Sequence, residues 1–228
     1  MELSIDSSTR YASVGLSNQG KTTAEISWHS QKNHSVELVP AMRELLARHT
    51  IPFKNLKAIF VAQGPGGFSA LRVGISTAKA LSVGLNIPII SISTLDIEAQ
   101  SYLGLNLCLI ALIPAGRTQV YLGKYIEGTN PEYKVMPLQQ LISNIPTGAL
   151  VCGEAVKNIT SIRQEFLEKE IKIINSPPPT RRSSVLAELG YRRLQAGELD
   201  DPSTLQPIYL RSSQVNTANR SLMKQSTD

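Results

Sequence analysis

A glycine turn set between an apolar run and a helical pattern constrains this chain more than any other feature. The stretch Val61-Ala-Gln-Gly-Pro-Gly-Gly-Phe-Ser-Ala-Leu-Arg-Val-Gly-Ile-Ser-Thr-Ala-Lys-Ala-Leu81 reads as a β-strand that breaks at Gly64-Pro-Gly-Gly67 and restarts as a helix. Strand–turn–helix units of this kind build α/β sheets. Gly64, Gly66 and Gly67 permit backbone angles and close approaches that a Cβ forbids, and the amides opening the next helix have no intrahelical partner. The turn is therefore either a tight structural element or an anion cradle. Two nucleotide clamps are excluded by the residues present. A P-loop requires Lys-Ser/Thr after its last glycine, where Phe68-Ser69 stand, and a dinucleotide fingerprint requires Gly or Ala where Ser69 stands.

The helix after the turn carries Ala70, Gly74, Ala78 and Ser82 at four-residue spacing, a stripe of small side chains flanked by Leu71, Val73, Ile75, Ala80 and Leu81. A glycine inside a helix costs on the order of 1 kcal/mol relative to alanine, so Gly74 implies that something packs close, either within the fold or from another subunit. Upstream, Val36, Leu38, Val39, Met42, Leu45 and Leu46 follow a helical period opposite Glu37, Arg43, Glu44 and Arg48. Ser35 suits the N-cap of this helix and Pro40 should kink its first turns. Two such amphipathic helices can pair and still leave a ledge for a partner.

With 228 residues, 42% of them hydrophobic, the chain can build one or two cores, and it has no run approaching 18 apolar residues that would cross a membrane. The opening Met1-Glu-Leu-Ser-Ile-Asp6 lacks the basic and then apolar pattern of a secretory signal, so a cytoplasmic location is expected. Cys108 and Cys152 lie apart in apolar runs and read as core residues. A net charge of +5 and a pI near 9.2 are moderate, leaving room for contact with nucleic acid without demanding it. Arg181-Arg182 and Arg192-Arg193 are either a basic patch for phosphates or simply solvated.

Alternation predicts strands at Glu2 to Asp6, Tyr11 to Ser17 and Lys21 to Trp28, then the helix from Ser35, a strand at Leu56 to Ala62, the glycine turn with its helix, a strand at Ile87 to Ile92 and a helix from Thr94 to Leu103. A second series follows. It has strands at Leu107 to Ile113 and Gln119 to Ile126, a helix at Leu138 to Asn144, a strand at Ala149 to Cys152, a helix from Asn158 to Lys169, a strand at Ile171 to Ile174 and a helix from Ser183 to Ala196. The expected organisation is an N-terminal lobe over residues 1–104, a C-terminal lobe over 105–211 and a loose polar tail over 212–228.

Ser4-Ile-Asp-Ser-Ser-Thr9, Gly64-Pro-Gly-Gly-Phe-Ser-Ala-Leu-Arg-Val-Gly74, Ser93-Thr-Leu95, Val120-Tyr121 and Pro207-Ile-Tyr-Leu-Arg211 stand in the order and spacing of the TsaB (YeaZ) family, and the chain resembles that family from about Met1 to Arg211. The resemblance implies a two-lobed α/β fold of the acetate kinase, hexokinase, Hsp70 and actin type (ASKHA), each lobe a mixed sheet with flanking helices. It implies a part in threonylcarbamoylation of the adenosine next to the tRNA anticodon. In that system a related TsaD protein carries the metal and the transferase chemistry, TsaB pairs with it through first-lobe helices, and a TsaE ATPase completes the set.

The residues present agree that this chain is poorly equipped for the chemistry itself. His29, His34 and His49 contain no i, i+4 pair that could grip one metal from a single helix face, and His34-Ser35 matches the family's entry to the first-lobe helix, a capping or packing role. Pro114-Ala-Gly-Arg-Thr-Gln-Val-Tyr121 departs from the family's Asp-Ala-Arg-Arg-x-Glu-Val-Tyr, with Pro114 and Gln119 where acids are usual, leaving no general base there and only Arg117 and Tyr121 for structural hydrogen bonds. Asp6 is the remaining temptation. In ATP-using members of the wider fold an acid there helps hold the nucleotide's metal, whereas locally it suits an Asx-turn to Ser8 or Thr9. Asp6, Ser7, Ser8, Thr9, Gly64, Gly66, Gly67 and Ser69 form the candidate anion or nucleotide loop.

The expected function is thus that of a pseudoenzyme: a subunit with no catalytic residues, metal or cofactor of its own, organising a TsaD-like transferase with a TsaE-like ATPase and forming a homodimer when alone. Helices Ser35 to His49 and Ser69 to Leu85 form the expected interface, through Ser35, Leu38, Val39, Met42, Leu45, Ala70, Leu71, Gly74, Ile75, Ala78 and Ser82, so that Gly74→Leu would abolish partner binding. The alternative is an ATP-dependent phosphotransferase or nucleotide-binding protein of the same fold. A peptidase is disfavoured by the lack of a His-x3-His pair and of a convincing Ser/His/Asp set.

Overall fold

The computed structural model describes residues 1–31, 33–105, 108–159 and 163–210. Three N-terminal strands, β1 (Glu2–Asp6), β2 (Tyr11–Asn18) and β3 (Lys21–His29), form an antiparallel meander, and β4 (Ala58–Gly64) and β5 (Ile89–Ser93) add in parallel beside β1, giving the order β3-β2-β1-β4-β5. A second sheet holds β6 (Leu109–Ala115), β7 (Gln119–Tyr125), β8 (Glu132–Pro137), β9 (Leu150–Cys152) and β10 (Lys172–Ile173) in the order β10-β9-β6-β7-β8. Read from its meander, the second sheet repeats the plan of the first: three antiparallel strands, then two parallel ones beside the first strand of the three. The expected two-lobed architecture of mixed sheets with flanking helices is what forms.

The period-two alternation of β4 sorts its side chains between two cores. Ile59 and Val61 join Leu3, Ile5, Val14 and Leu16 beneath α1 (His34–Arg48) and α2 (Phe68–Leu85), which supply Leu38, Met42, Leu45, Leu46, Ile75 and Ala78. Ala58, Phe60 and Ala62 face the other way with Ile90 and Ile92. The short helix α3 (Thr94–Ala99) lies between the two sheets: its Ile97 joins this second core, while Leu95 and Ala99 pack on Leu109, Ala111 and Ile113 of β6. Beyond Ser93, α4 (Leu141–Asn144) and α5 (Arg163–Glu168) belong to the second lobe, whose core includes Leu141 and Phe166. The last helix, α6 (Ser183–Gln195), covers the Phe60 face with Leu186 and Ala187.

That last placement corrects the expected C-terminal lobe of residues 105–211. From Ser183 onward the chain returns to the first sheet: α6 packs on it, Leu205 joins the α1–α2 core, and the Ile208 amide donates to the Gln63 carbonyl at 2.9 Å. Periodicity located α6 but carries no information about which sheet it covers. Helix α1 begins one residue before the expected cap, with Asn33 in the N-cap position and Ser35 already helical. Strand β8 is not among the expected strands: Glu132-Tyr-Lys-Val135 alternates polar with apolar, but the run is short and bounded by Pro131 and Pro137. The expected helix from Asn158 resolves into a 3-10 turn at Glu154–Asn158 and α5, with residues 160–162 outside the described residues. Leu107, Arg211 and the expected tail 212–228 also lie outside them.

Candidate functional site

The end of β1 delivers Asp6 to the junction of the lobes. Leu3 and Ile5 point into the α1–α2 core, so strand alternation turns Glu2, Ser4 and Asp6 toward the face covered by the α6 segment. The Asp6 Oδ1 atom accepts from the Ser8 amide at 2.8 Å and the Ser8 hydroxyl at 2.6 Å, the Asx-turn geometry that the local sequence allows. Its Oδ2 atom is taken by Arg181, whose Nε donates to it at 2.9 Å.

Arg181 gathers two further acids. Its Nη1 donates to Glu98 Oε2 of α3 and to Glu154 Oε2 after β9, both at 3.1 Å, and its Nη2 donates to the Thr9 hydroxyl oxygen at 2.7 Å. The Thr9 hydroxyl in turn donates to Glu154 Oε2 at 2.7 Å, and the Thr180 hydroxyl donates to Glu98 Oε2 at 2.9 Å. All four charged side chains are at most 5% exposed. Buried charge is tolerable only when paired and hydrogen-bonded, and this cluster meets both conditions for the guanidinium. Burial alone would push the Arg181 guanidinium down, but Asp6, Glu98 and Glu154 more than offset it and hold the group protonated. Burial pushes the Glu98 carboxyl up, against the opposing pull of Arg181 and Thr180, and its Oε1 finds no hydrogen-bond partner. Burial also raises the Cys152 thiol, which lies in the core beneath Glu98 and is thereby unsuited to act as a nucleophile.

The candidate anion loop is largely consumed by its own packing. The Gly67 amide donates to the Ser8 carbonyl at 2.8 Å, and the Ser7 hydroxyl donates to the Ala70 carbonyl at 2.7 Å. A Cβ on Gly66 would lie 2.2 Å from the Ser8 carbonyl oxygen, so the glycine turn is a seat for the β1–β2 turn. Asp6, Ser7, Ser8, Gly64 and Gly66 are buried, Thr9 is bound by Arg181 and Glu154, and only Gly67 and Ser69 remain exposed. These contacts are those of a tight structural turn, and the buried residues among the eight offer no open cradle. His34 serves the same packing: its Nε2–H donates to the Thr9 carbonyl at 2.8 Å, leaving Nδ1 to face the Ser30 hydroxyl at 3.4 Å.

What stays open is the cleft beside this turn, about 740 Å³, lined by Thr9, Arg10 and His34 on one wall, Gly67 to Ala70 at the head of α2, and Pro114, Gly116, Arg117, Glu154, Lys157 and Asn158 from the second lobe. The hairpin carrying Pro114 and Gln119 offers no carboxylate to it, and Tyr121 Oη reaches across to within 3.5 Å of the Gly66 carbonyl.

The small-residue stripe likewise faces inward. Gly74 packs on the β1–β2 turn, where a Cβ would sit 2.3 Å from Ser7 Oγ, and Leu38, Met42, Leu45, Leu71, Ile75, Ala78 and Ser82 are buried in the first-lobe core. These eight residues have no surface to offer a partner. Of the expected interface set only Ser35 and Val39 are exposed, with Ala70 half-buried. The outward apolar residues of the two helices are instead Val36 and Val83, each 68% exposed, Val39 at 43% and Phe68 at 53%. Phe68 also stacks on Tyr209, with ring centroids 5.1 Å apart and the Arg72 guanidinium over its face. The two arginine pairs do not come together as a basic patch: Arg181 is buried, Arg182 pairs with Glu25, Arg192 with Glu188, and Arg193 with Glu198.

Arg181, Glu98 and Glu154 are not legible as a set in the sequence because they are far apart in the chain. A signal was nevertheless present, since Glu98 sits in Ile97-Glu-Ala99 and Glu154 follows Leu150-Val-Cys-Gly153. An acid embedded in an apolar run implies a buried cation elsewhere.

A family model described as TsaD, tRNA N6-adenosine threonylcarbamoyltransferase, matches residues 24–142, just over half of the chain. The chain is 29% identical over 221 residues to the tRNA threonylcarbamoyladenosine biosynthesis protein TsaB of Bacillus subtilis, covering 93% of this chain and 95% of that protein. It is 30% identical over 130 residues to the protein of the same name from Escherichia coli, covering 56% of each. Among solved structures, YeaZ from Pseudomonas aeruginosa superposes with a TM-score of 0.70 at 22% identity, over 92% of this chain and 99% of that one, which fixes the fold.

Proposed function

Because this chain belongs to the TsaB (YeaZ) family of tRNA threonylcarbamoyladenosine biosynthesis proteins, within the broader family whose model describes TsaD, we propose that it is a non-catalytic subunit of a cytoplasmic threonylcarbamoylation complex. Its work is to bind and organise a TsaD-like transferase, together with a TsaE-like ATPase.

The observation that carries this reading is Arg181 bonded to Asp6, Glu98 and Glu154 at once. A carboxylate can serve as a general base or hold a metal only while it is free to do so. Here a guanidinium built into the chain occupies all three. Among the described residues no group of three or more His, Cys, Asp or Glu side chains could hold a metal ion. No helix of the described chain is long and apolar enough to cross a membrane.

The outward faces of α1 and α2 support the partner role. Val36, Val39 and Val83 present apolar surface that a monomer gains nothing by exposing, and burial under a partner's helices would remove it from water. Without the transferase, a second copy can cover the same face through a two-fold contact.

The test is threonylcarbamoylation of unmodified tRNA in vitro, with a TsaD-like transferase, a TsaE-like ATPase and a threonylcarbamoyl-adenylate donor, in the presence and absence of this chain. Modification that depends on the chain supports the reading. Equal modification without it sinks it.

A further inference from the structure

The cleft beside the β1–β2 turn carries a charge pattern that the organising role does not use. Arg10, Arg117 and Lys157 line it from three separate elements, the β1–β2 turn, the β6–β7 hairpin and the turn after β9, and all three are exposed. The single acid in the lining, Glu154, is buried and bound by Arg181 and Thr9. Three solvated cations therefore face one cavity without a competing free carboxylate. The N-terminal residues of α2, Phe68 to Ala70, form one wall, and the amides of a helix's first turn add positive potential to that field.

We propose that this cleft binds the phosphodiester backbone of tRNA, with Arg10, Arg117 and Lys157 as its phosphate contacts. The inference rests on the threonylcarbamoylation reading, which supplies tRNA as the substrate of the assembly. A backbone suits the site better than a free nucleotide. The cations come from three separate elements and not from one compact clamp, and the carboxylates that would hold a nucleotide's metal are occupied by Arg181. The cleft also begins where α1 and α2 begin, at His34 and Phe68, so a transferase seated on those helices lies beside the same tRNA.

The experiment compares tRNA affinity of the full chain with that of Arg117→Glu/Lys157→Glu, across a salt series, by fluorescence anisotropy. Both residues are exposed, and circular dichroism confirms folding. Loss of two phosphate contacts should weaken binding at least about tenfold at low salt and make the log–log salt slope shallower by about 2. A control, Arg48→Glu/Arg192→Glu, changes the charge equally on remote surfaces and should retain most of the affinity. Wild type that fails to bind tRNA, cleft and control variants that lose affinity equally, or a mononucleotide that displaces tRNA stoichiometrically would each overturn the proposal. The modification assay run in parallel separates the two readings: if modification needs the chain but the cleft variant binds tRNA like wild type, only the cleft inference falls.

Discussion

Arg181 and Asp6, 175 residues apart in sequence, meet at 2.9 Å with both side chains only 3% exposed. The pair joins the first strand of the chain to the segment leading into its last helix. With Glu98 and Glu154 it fastens both lobes to one guanidinium.

Removing that guanidinium should be costly. Arg181→Met leaves three carboxyl groups buried without their cation, and the expected loss is about 3–5 kcal/mol, as for breaking other buried ion pairs. Urea unfolding measures it. Adding Asp6→Asn, Glu98→Gln and Glu154→Gln to Arg181→Met should recover part of the loss. An Arg181→Met protein within about 1 kcal/mol of wild type would mean that water, not the acids, solvates Arg181.

Glu98 gives the cluster a pH signature. Burial raises its carboxyl above the ordinary value of 4.5, so between that value and its folded value the folded chain binds more protons than the unfolded one. Its contribution to stability is therefore full below about pH 4.5 and is lost as the pH rises toward and through the folded value. Glu98→Gln cannot titrate, so the difference in unfolding free energy between variant and wild type should grow in the variant's favour from pH 4.5 upward. Parallel curves would show that Glu98 keeps an ordinary carboxyl.

Gly74→Leu tests the inward reading of the small-residue stripe. Even a Cβ at this position meets Ser7 Oγ, so the leucine should overpack the α2–β1 contact and lower stability by about 1–3 kcal/mol or more. A shift in Tm of the isolated chain is the readout. A variant that melts with wild type and is deficient only in partner binding would return the stripe to the interface.

Val39→Asp/Val83→Asp should do the reverse. Both side chains are solvent-exposed, so Tm should stay close to wild type, while affinity for a TsaD-like partner should fall by at least about tenfold for each contact that is central to the interface. Calorimetric titration measures the affinity and sedimentation the self-association. Unchanged values in both would place the partner on another face.

Much of this architecture could be read directly from residue order. Alternation in Glu2 to Asp6 and the break at Gly64-Pro-Gly-Gly67 located β1, β4 and α2 to within two residues, because local sterics and period-two burial act over short stretches. The helical periods of α1 and α2 were legible too, but a period states only that one face is buried. Whether Gly74 meets Ser7 or another protein is a tertiary fact. Arg181 shows the same limit more sharply. Its charge suggested solvent or phosphate, and only the folded chain brings three acids from β1, α3 and the turn after β9 around it.

The return of α6 to the first sheet has a consequence for the order in which the protein can be made. Phe60, Ile90 and Ile92 are synthesised early, yet the helix that covers them ends at Gln195, about a hundred residues after β5. At about 5–20 residues per second a ribosome needs roughly 5–20 s to supply that cover, and until then one face of the first lobe is bare apolar sheet. Nascent chains halted before residue 183 should be cut readily by protease within the first lobe, and chains extended past Gln195 should resist. The amino-terminal half of this molecule is thus finished by its carboxyl end, and cannot mature as an independent unit on the ribosome.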